Sequence, residues 1–233
     1  MLEYLRTSRA HLLVDKLKDE LVIAGDDHHH LTRVMRLSAD DLITAAHEGN
    51  VREYKVSRIT REVLEAVATR SADAVHEPQI DLAVSLFALN RLETGIAKAV
   101  EAGATSLTFG ATSRSSITLD AEKHEKFLRR AEAIVHSAVI QSRRASKVAI
   151  SIVDDLTDYC FELSTPLVVC DPDGVTSPPS APVTILIGPE GGFDGEEREL
   201  LAPTSSTWCI SPYILRSETA MSIAPALISA AFH

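Results

Sequence analysis

The chain has 233 residues, 45% of them hydrophobic, 24% charged and 5% aromatic, a globular balance that excludes a disordered or fibrous protein. The 23 Lys and Arg against 33 Asp and Glu give a formal net charge of -10, which excludes nucleic-acid binding by bulk charge. The deficit is uneven: residues 1–72 hold 11 basic and 12 acidic side chains, against 12 and 21 in residues 73–233, so a polyanion would have to be recognised locally. No run approaches the ~18 apolar residues of a membrane span, and Met1–His11 lacks the apolar core of a signal peptide, so a cytoplasmic protein that does not enter membranes is expected. Three scattered cysteines, Cys160, Cys170 and Cys209, form neither a disulfide framework nor a C-x-x-C pair and read as reduced.

In chain order, HHHLTRVMRL between Asp27 and Leu37 spaces Leu31, Val34 and Met35 as a short helix does, with Arg33 and Arg36 on other faces. Consecutive histidines diverge, so His28–His30 read as a helix start and no metal ligand set is expected. Leu42–Ala46, Glu53–Ile59 and Val63–Ala68 read as strands of a small, mostly antiparallel β-barrel over residues 1–72. The composition breaks at Ser71–Pro78, and residues 73–233 form the second expected domain. There the pattern becomes strand and helix in alternation: Ile80–Ala88, Glu93–Ala102, Ser106–Phe109, a long helix from Asp120 to about Arg143, then strands near Val148–Ile152, Leu167–Val169, Thr184–Ile187 and Thr207–Ile210. Helices are expected over Asp194–Leu201 and Glu218–Ala231, and the proline-rich stretch 172–182 reads as a loop. This is an α/β domain with a mainly parallel sheet.

Two segments carry the chemistry. In VTILIGPEGGFDGEE (183–197) a buried strand stops at a Gly-Pro-Glu-Gly-Gly turn, and Asp194-x-x-Glu197 is a capping box for the helix that follows. Glycines there let backbone amides approach a ligand at the carboxyl end of a strand, where α/β sheets bind theirs. Neither the P-loop nor the dinucleotide glycine pattern occurs. In WCISPYILRSETA (208–220) a strand again ends in a loop, with Ser217 a candidate N-cap and Arg216 beside a helix N-terminus. A cation there is unfavourable for the helix, so Arg216 serves an anionic partner or a carboxylate. Trp208, the only tryptophan, reads as core rather than as a base-stacking platform.

LIGPEGGF (186–193) followed by ILRSETA (214–220) resembles the ribosomal RNA small-subunit methyltransferase E family. The likeness extends to HHHLTRVMRLSADDLI (28–43), to Lys98, Glu101 and Gly103 in AKAVEAGATSLTF, to Arg114 and Ser115, and to Gln141, Ser142 and Arg144. The resemblance implies a PUA-like RNA-binding β-barrel before a SPOUT-type domain tied in a deep trefoil knot, and a homodimer. It also implies methyl transfer from S-adenosylmethionine to N3 of one uridine in 16S ribosomal RNA or the small ribosomal subunit. The cofactor would rest on Ile187, Gly188, Gly191, Gly192, Ile210, Leu215 and Thr219. Arg216, Arg114 and Glu218 are the candidate catalytic residues, and Arg33, Arg36 and Arg144 the candidate RNA contacts. The chain departs from the family pattern at Ser211 and Tyr213, where glycine and arginine are usual, and carries Cys170-Asp171-Pro172 where His-Pro or Glu-Pro is common. These departures keep two other readings open: the same fold acting on another RNA, and an inactive RNA-binding protein of ribosome assembly.

Overall fold

A computed structural model describes residues 3–232. Its contacts divide the chain into two compact units, the first made of the residues up to His76 together with Val139–Lys147, the second of Glu77–Ala138 and Val148 onward.

The first unit opens with α1 (Glu3–Thr7), β1 (Ala10–Leu13) and β2 (Glu20–Ala24), which are too short to stand out in the sequence. The expected helix at 27–37 is α2 (Gly25–His29) continued by a π-helical turn, His30–Val34; Arg36 then takes a positive φ of 55°. β3 (Leu42–His47), β4 (Asn50–Ile59), β5 (Val63–Ala68) and the short β6 (Asp73–Ala74) follow. The sheet runs β1-β3-β4-β5-β2 with β6 on β4. Only β1 with β3 is parallel, so the mostly antiparallel character expected from the alternation is present. Alternate residues of these strands, among them Ile43, Tyr54, Val56 and Leu64, are essentially water-free and pack with Leu31 and Leu37. Residues 139–147 belong here through Ala145, which packs with Tyr4, Leu5, Ala46 and Val51, and through the Arg144 carbonyl, 2.9 Å from His11 Nε2. Burial of that imidazole drives its pKa down to about 4.

The second unit begins with β7 (Ile80–Ser85), α3 (Leu89–Ala102) and β8 (Ser106–Ala111), continues through α4 (Ala121–Ser142), β9 (Ala149–Asp155) and α5 (Leu156–Phe161), and then β10 (Leu167–Val175). β11 (Val183–Ile187), α6 (Gly195–Leu201), β12 (Ser205–Trp208) and α7 (Ser217–Phe232) complete it. Six strands run parallel in the order β12-β10-β11-β7-β8-β9, the parallel α/β sheet expected from the alternation of apolar runs and helical patterns. Ile80, Ala83, Val84, Val183 and Ile185 are buried, as a sheet covered on both faces requires.

The structure corrects two local expectations. Residues 172–175, read as loop from Pro172 and Gly174, extend β10: a register shift lets both Cys170 and Val175 pair with Trp208, and the bulge takes up the proline. Gly174 is required there because a Cβ would meet the Trp208 nitrogen at 2.5 Å. Ser217 does not act as an N-cap; its hydroxyl donates to the Gly188 carbonyl, 2.8 Å away, and α7 begins at Ser217 itself. The capping box at α6 is present in full, Asp194 accepting from the Glu197 amide at 2.9 Å and Glu197 from the Asp194 amide at 2.9 Å.

Candidate functional site

β10, β11 and β12 deliver their carboxyl ends to one cavity in the second unit, in the position that favours ligand binding in open α/β sheets. Its first wall is the turn after β11. Gly188 packs under the Phe193 ring, where a Cβ would sit 3.0 Å from Cε2, and Gly192 adopts φ 65° to close the turn on the Pro189 carbonyl. The second wall is the segment after β12, Ile210 to Leu215, with Tyr213 and Ile214 79% and 83% exposed. The Ser217–Gly188 hydrogen bond ties the turn to the first residue of α7, so the two sequence segments singled out for their chemistry meet in space.

Five of the seven expected cofactor residues, Ile187, Gly188, Gly192, Ile210 and Leu215, line this cavity. Gly191 stands behind it, its carbonyl accepting from Arg114 Nη1 at 2.8 Å, and Thr219 lies in the first turn of α7 without lining it. Arg114 is exposed and held at the turn by that bond. Arg216 is exposed, with its guanidinium 4.0 Å from Glu218 Oε1. Glu218 does not line the cavity. Its Oε2 is buried without a hydrogen-bond partner among the described residues and has Arg91 Nη1 at 3.7 Å. In the first unit, Arg33 and Arg36 are exposed, whereas Arg144 is only 7% exposed, the placement of a structural side chain.

Four residues that were not among the expected site residues complete the site. Arg91, at the start of α3, pairs with Glu190 of the glycine turn and faces Glu218, so one guanidinium restrains two segments of the site. Asp171 is 8% exposed and lines the cavity, receiving Arg198 Nη1 at 2.7 Å and the Asp173 amide at 2.9 Å. Arg198 also lines the cavity and donates from Nε to the Phe193 carbonyl at 3.2 Å. Trp208 is core, as expected, at 1% exposure, yet it also lines the cavity, and its Nε1–H has no acceptor among the described residues. The departure from the family pattern at Cys170-Asp171-Pro172 was the sequence signal for Asp171; Arg91 had none, because its partner Glu190 is far away in the chain.

The Cys170 thiol lines the cavity too, but burial and the neighbouring Asp171 carboxylate push it up to about 12, so it stays a thiol rather than a nucleophilic thiolate. Among the described residues no cluster of His, Cys, Asp or Glu is arranged to hold a metal ion, and no helix is long and apolar enough to cross a membrane. The arrangement is a cavity with largely apolar walls and one lining cation, Arg198, with Arg216 exposed next to the lining residue Leu215, suited to binding a ligand.

A parallel α/β domain with a glycine-turn cavity at its strand ends defines a class of ligand-binding enzyme folds, and the comparisons narrow it. Residues 75–229 match the family described as RNA methyltransferase domain, and the chain belongs to that family. It is similar to ribosomal RNA small subunit methyltransferase E of Bacillus subtilis, 26% identical with 89% of this chain and 88% of that protein covered. The Mycobacterium bovis protein of the same name is 27% identical, with 91% and 87% covered. Among solved structures, ribosomal RNA small subunit methyltransferase E from Neisseria gonorrhoeae bound to S-adenosyl methionine superposes with a TM-score of 0.81 at 20% identity, covering 95% of this chain and 97% of that one. A methyltransferase from Legionella pneumophila in complex with S-adenosylmethionine gives 0.79 at 23% identity over 95% and 97%.

Proposed function

We propose that the chain transfers the methyl group of S-adenosylmethionine to N3 of one uridine in 16S ribosomal RNA, acting on the small ribosomal subunit. The observation that carries this reading is the meeting of segments 186–193 and 214–220 at one cavity, joined by the Ser217–Gly188 hydrogen bond. The residues present fit the cofactor: an apolar slot of Ile187, Ile210 and Leu215 suits a planar base, and Trp208, which lines the cavity, keeps a buried N–H without an acceptor among the described residues. When bound, S-adenosylmethionine supplies an activated methyl group on its sulfonium.

The chain's own part is orientation and charge. N3 of uridine is an imide nitrogen: as it gives up its proton, negative charge spreads onto the two flanking carbonyl oxygens. Arg216 and Arg114 are the donors for those oxygens or for the adjoining phosphate, in keeping with their exposure beside the two walls. Glu218, lying between Arg91 and Arg216, orients Arg216. A thiol nucleophile is not needed, in keeping with the raised pKa of Cys170. Arg33 and Arg36 hold the RNA backbone from the first unit, a PUA-like RNA-binding domain in this reading, while the second unit is a SPOUT domain with a trefoil knot that works as a homodimer in the cytoplasm. The likeness in fold to the Neisseria protein over 95% of the chain supports the fold part of that reading alone.

The test is to incubate the protein with methyl-labelled S-adenosylmethionine and small ribosomal subunits lacking the modification, then analyse the nucleosides by mass spectrometry. Labelled N3-methyluridine is expected, and Arg216→Ala should lower its rate by about 100-fold, as loss of one charge-stabilising donor does, with cofactor affinity unchanged. Full turnover by that variant removes Arg216 from the chemistry. Label in transfer RNA alone would favour the same fold acting on another RNA, and cofactor binding without transfer would favour an inactive assembly protein.

A further inference from the structure

The capping box of α6 holds more than its helix. Such a box needs one acceptor from the residue three positions in, which is why glutamine serves there as well as glutamate. Glu197 has two acceptor oxygens and uses both. Oε2 accepts from the Asp194 amide at 2.9 Å, and Oε1 accepts at 2.8 Å from the amide of Ser113, 84 residues away in the chain. The residue is 6% exposed, so those two amides compensate the burial of its carboxylate. Asp194, the other half of the box, draws on the same loop: after the Glu197 amide, the Ser113 side chain and the Arg114 charge help hold its carboxyl below the usual range. On its far side the loop is tied to β7, where the Ser85 hydroxyl meets Thr112 Oγ1 at 2.6 Å and Ser115 Oγ at 2.9 Å.

Between these anchors lies Arg114. Its main chain follows directly on Ser113, and its stem runs over Gly191, where an added Cβ would sit 3.4 Å from the arginine Cδ and 3.5 Å from its Cβ. Its Nη1 donates to the Gly191 carbonyl at 2.8 Å, which occupies one guanidinium donor of an exposed side chain and leaves others for a partner. A long side chain fixed in this way loses less rotamer entropy when it meets an anion. We propose that Glu197 is a positioning residue for Arg114: by gripping Ser113 it sets the main chain from which the guanidinium reaches across the glycine turn toward the substrate. Glu197 does not line the cavity and acts only through Arg114. This rests on the reading of Arg114 as a donor to the RNA substrate.

The test is a double-mutant cycle on methyl transfer to small ribosomal subunits. Glu197→Gln keeps an acceptor for the helix cap but gives up the second oxygen; kcat should fall by about 10-fold, the scale of a slightly misplaced catalytic group. KM and the affinity for S-adenosylhomocysteine, read by calorimetry, should stay at wild-type values. Arg114→Ala should lower kcat by about 100-fold. Adding Glu197→Gln to it should lower kcat no further, because the group being positioned is gone. Ser113→Pro deletes the same bond from an exposed residue with the capping box intact, and should reproduce the kcat loss even if Glu197→Gln does not fold. Hydrogen exchange reads the bond without turnover: the Ser113 amide should exchange slowly in the wild type and faster in Glu197→Gln. An unchanged kcat in Glu197→Gln, a loss that multiplies that of Arg114→Ala, or an equal loss of S-adenosylhomocysteine binding overturns the proposal and leaves methyl transfer standing. Full turnover by Arg114→Ala removes Arg114 from the chemistry and the proposal with it. No methylation by the wild type overturns the functional reading and the proposal together.

Discussion

The turn 188–193 is tied down along its length, whereas Pro212, Tyr213, Ile214 and Arg216, across the same cavity, stand exposed to solvent. In the turn, the Gly188 carbonyl accepts from Ser217, Glu190 pairs with Arg91, Gly191 holds Arg114, Gly192 closes on Pro189 and Phe193 receives Arg198. In the other segment, the Cys209 amide donates to Val175 and the Tyr213 amide to Ser211 Oγ, while Tyr213 and Ile214 stand clear of the protein. One wall is held by Ser217, Arg91 and Arg114, all distant in the sequence; the other is anchored by the Cys209–Val175 hydrogen bond at the end of β12 and beyond it by the local Tyr213–Ser211 bond. A cavity built this way meets its ligand with a fixed surface on one side and an adjustable one on the other, which limits the entropy lost on binding to the second wall.

The largest expected effect comes from the root of the adjustable wall. Gly174→Ala would place a Cβ 2.5 Å from the Trp208 backbone, which cannot move without breaking the β10–β12 ladder. Overpacking of that kind costs about 3 kcal/mol, so the thermal midpoint should fall by about 10 °C and ligand binding should be lost. A wild-type midpoint would mean that β12 is as adjustable as the loop it leads into.

Arg91→Ala tests the fixed wall next. It leaves Glu190 and Glu218 without their shared guanidinium, at a cost of about 1–2 kcal/mol given the partial exposure of the cluster, and cofactor affinity should fall by about 10-fold. Arg91→Lys should restore part of it. Equal affinity in Arg91→Ala and wild type would show that the glycine turn keeps its shape without the ion pair.

Acidity separates the walls as well, since residues 209–215 contain no carboxylate or base. The hydrogen bond from the Glu197 amide, with Ser113 and Arg114 nearby, holds the Asp194 carboxyl below its usual range. A depressed carboxyl pKa contributes stability that is fully present above the unfolded value of about 3.9 and disappears as pH falls through the lower folded value. The gap in thermal midpoint between wild type and Asp194→Ala should therefore be constant at neutral pH and close below about pH 4; a gap that persists at low pH contradicts the assignment. The smallest effect is expected at Ile214→Ser, within about 0.5 kcal/mol in stability because the side chain is already in water. Measurable weakening of RNA or subunit association in that variant would give the exposed pair a binding role.

What the sequence made legible was local. The capping box at Asp194 and Glu197 depends on residues three apart, the apolar run at Val183–Ile187 needs no partner to be recognised as a buried strand, and the glycine turn is a contiguous motif. What it hid depends on distance or on exceptions to local rules. Pro172 and Gly174 look like loop until a bulge places them in β10, and the Ser217 hydroxyl looks like a cap until Gly188 arrives within reach from another strand. Arg91 became a site residue only when the fold brought Glu190 and Glu218 to it. Arg144, part of a recognisable motif, is buried in the first unit, a placement no periodicity announced.

The central claim, that the cavity at the ends of β10, β11 and β12 is an S-adenosylmethionine site, is tested most directly by calorimetric titration of the purified protein with that compound. The account predicts saturable binding at one site per chain, weakened by Arg91→Ala. An absence of binding, or binding that is indifferent to Arg91→Ala and survives Gly174→Ala in a folded protein, would contradict it.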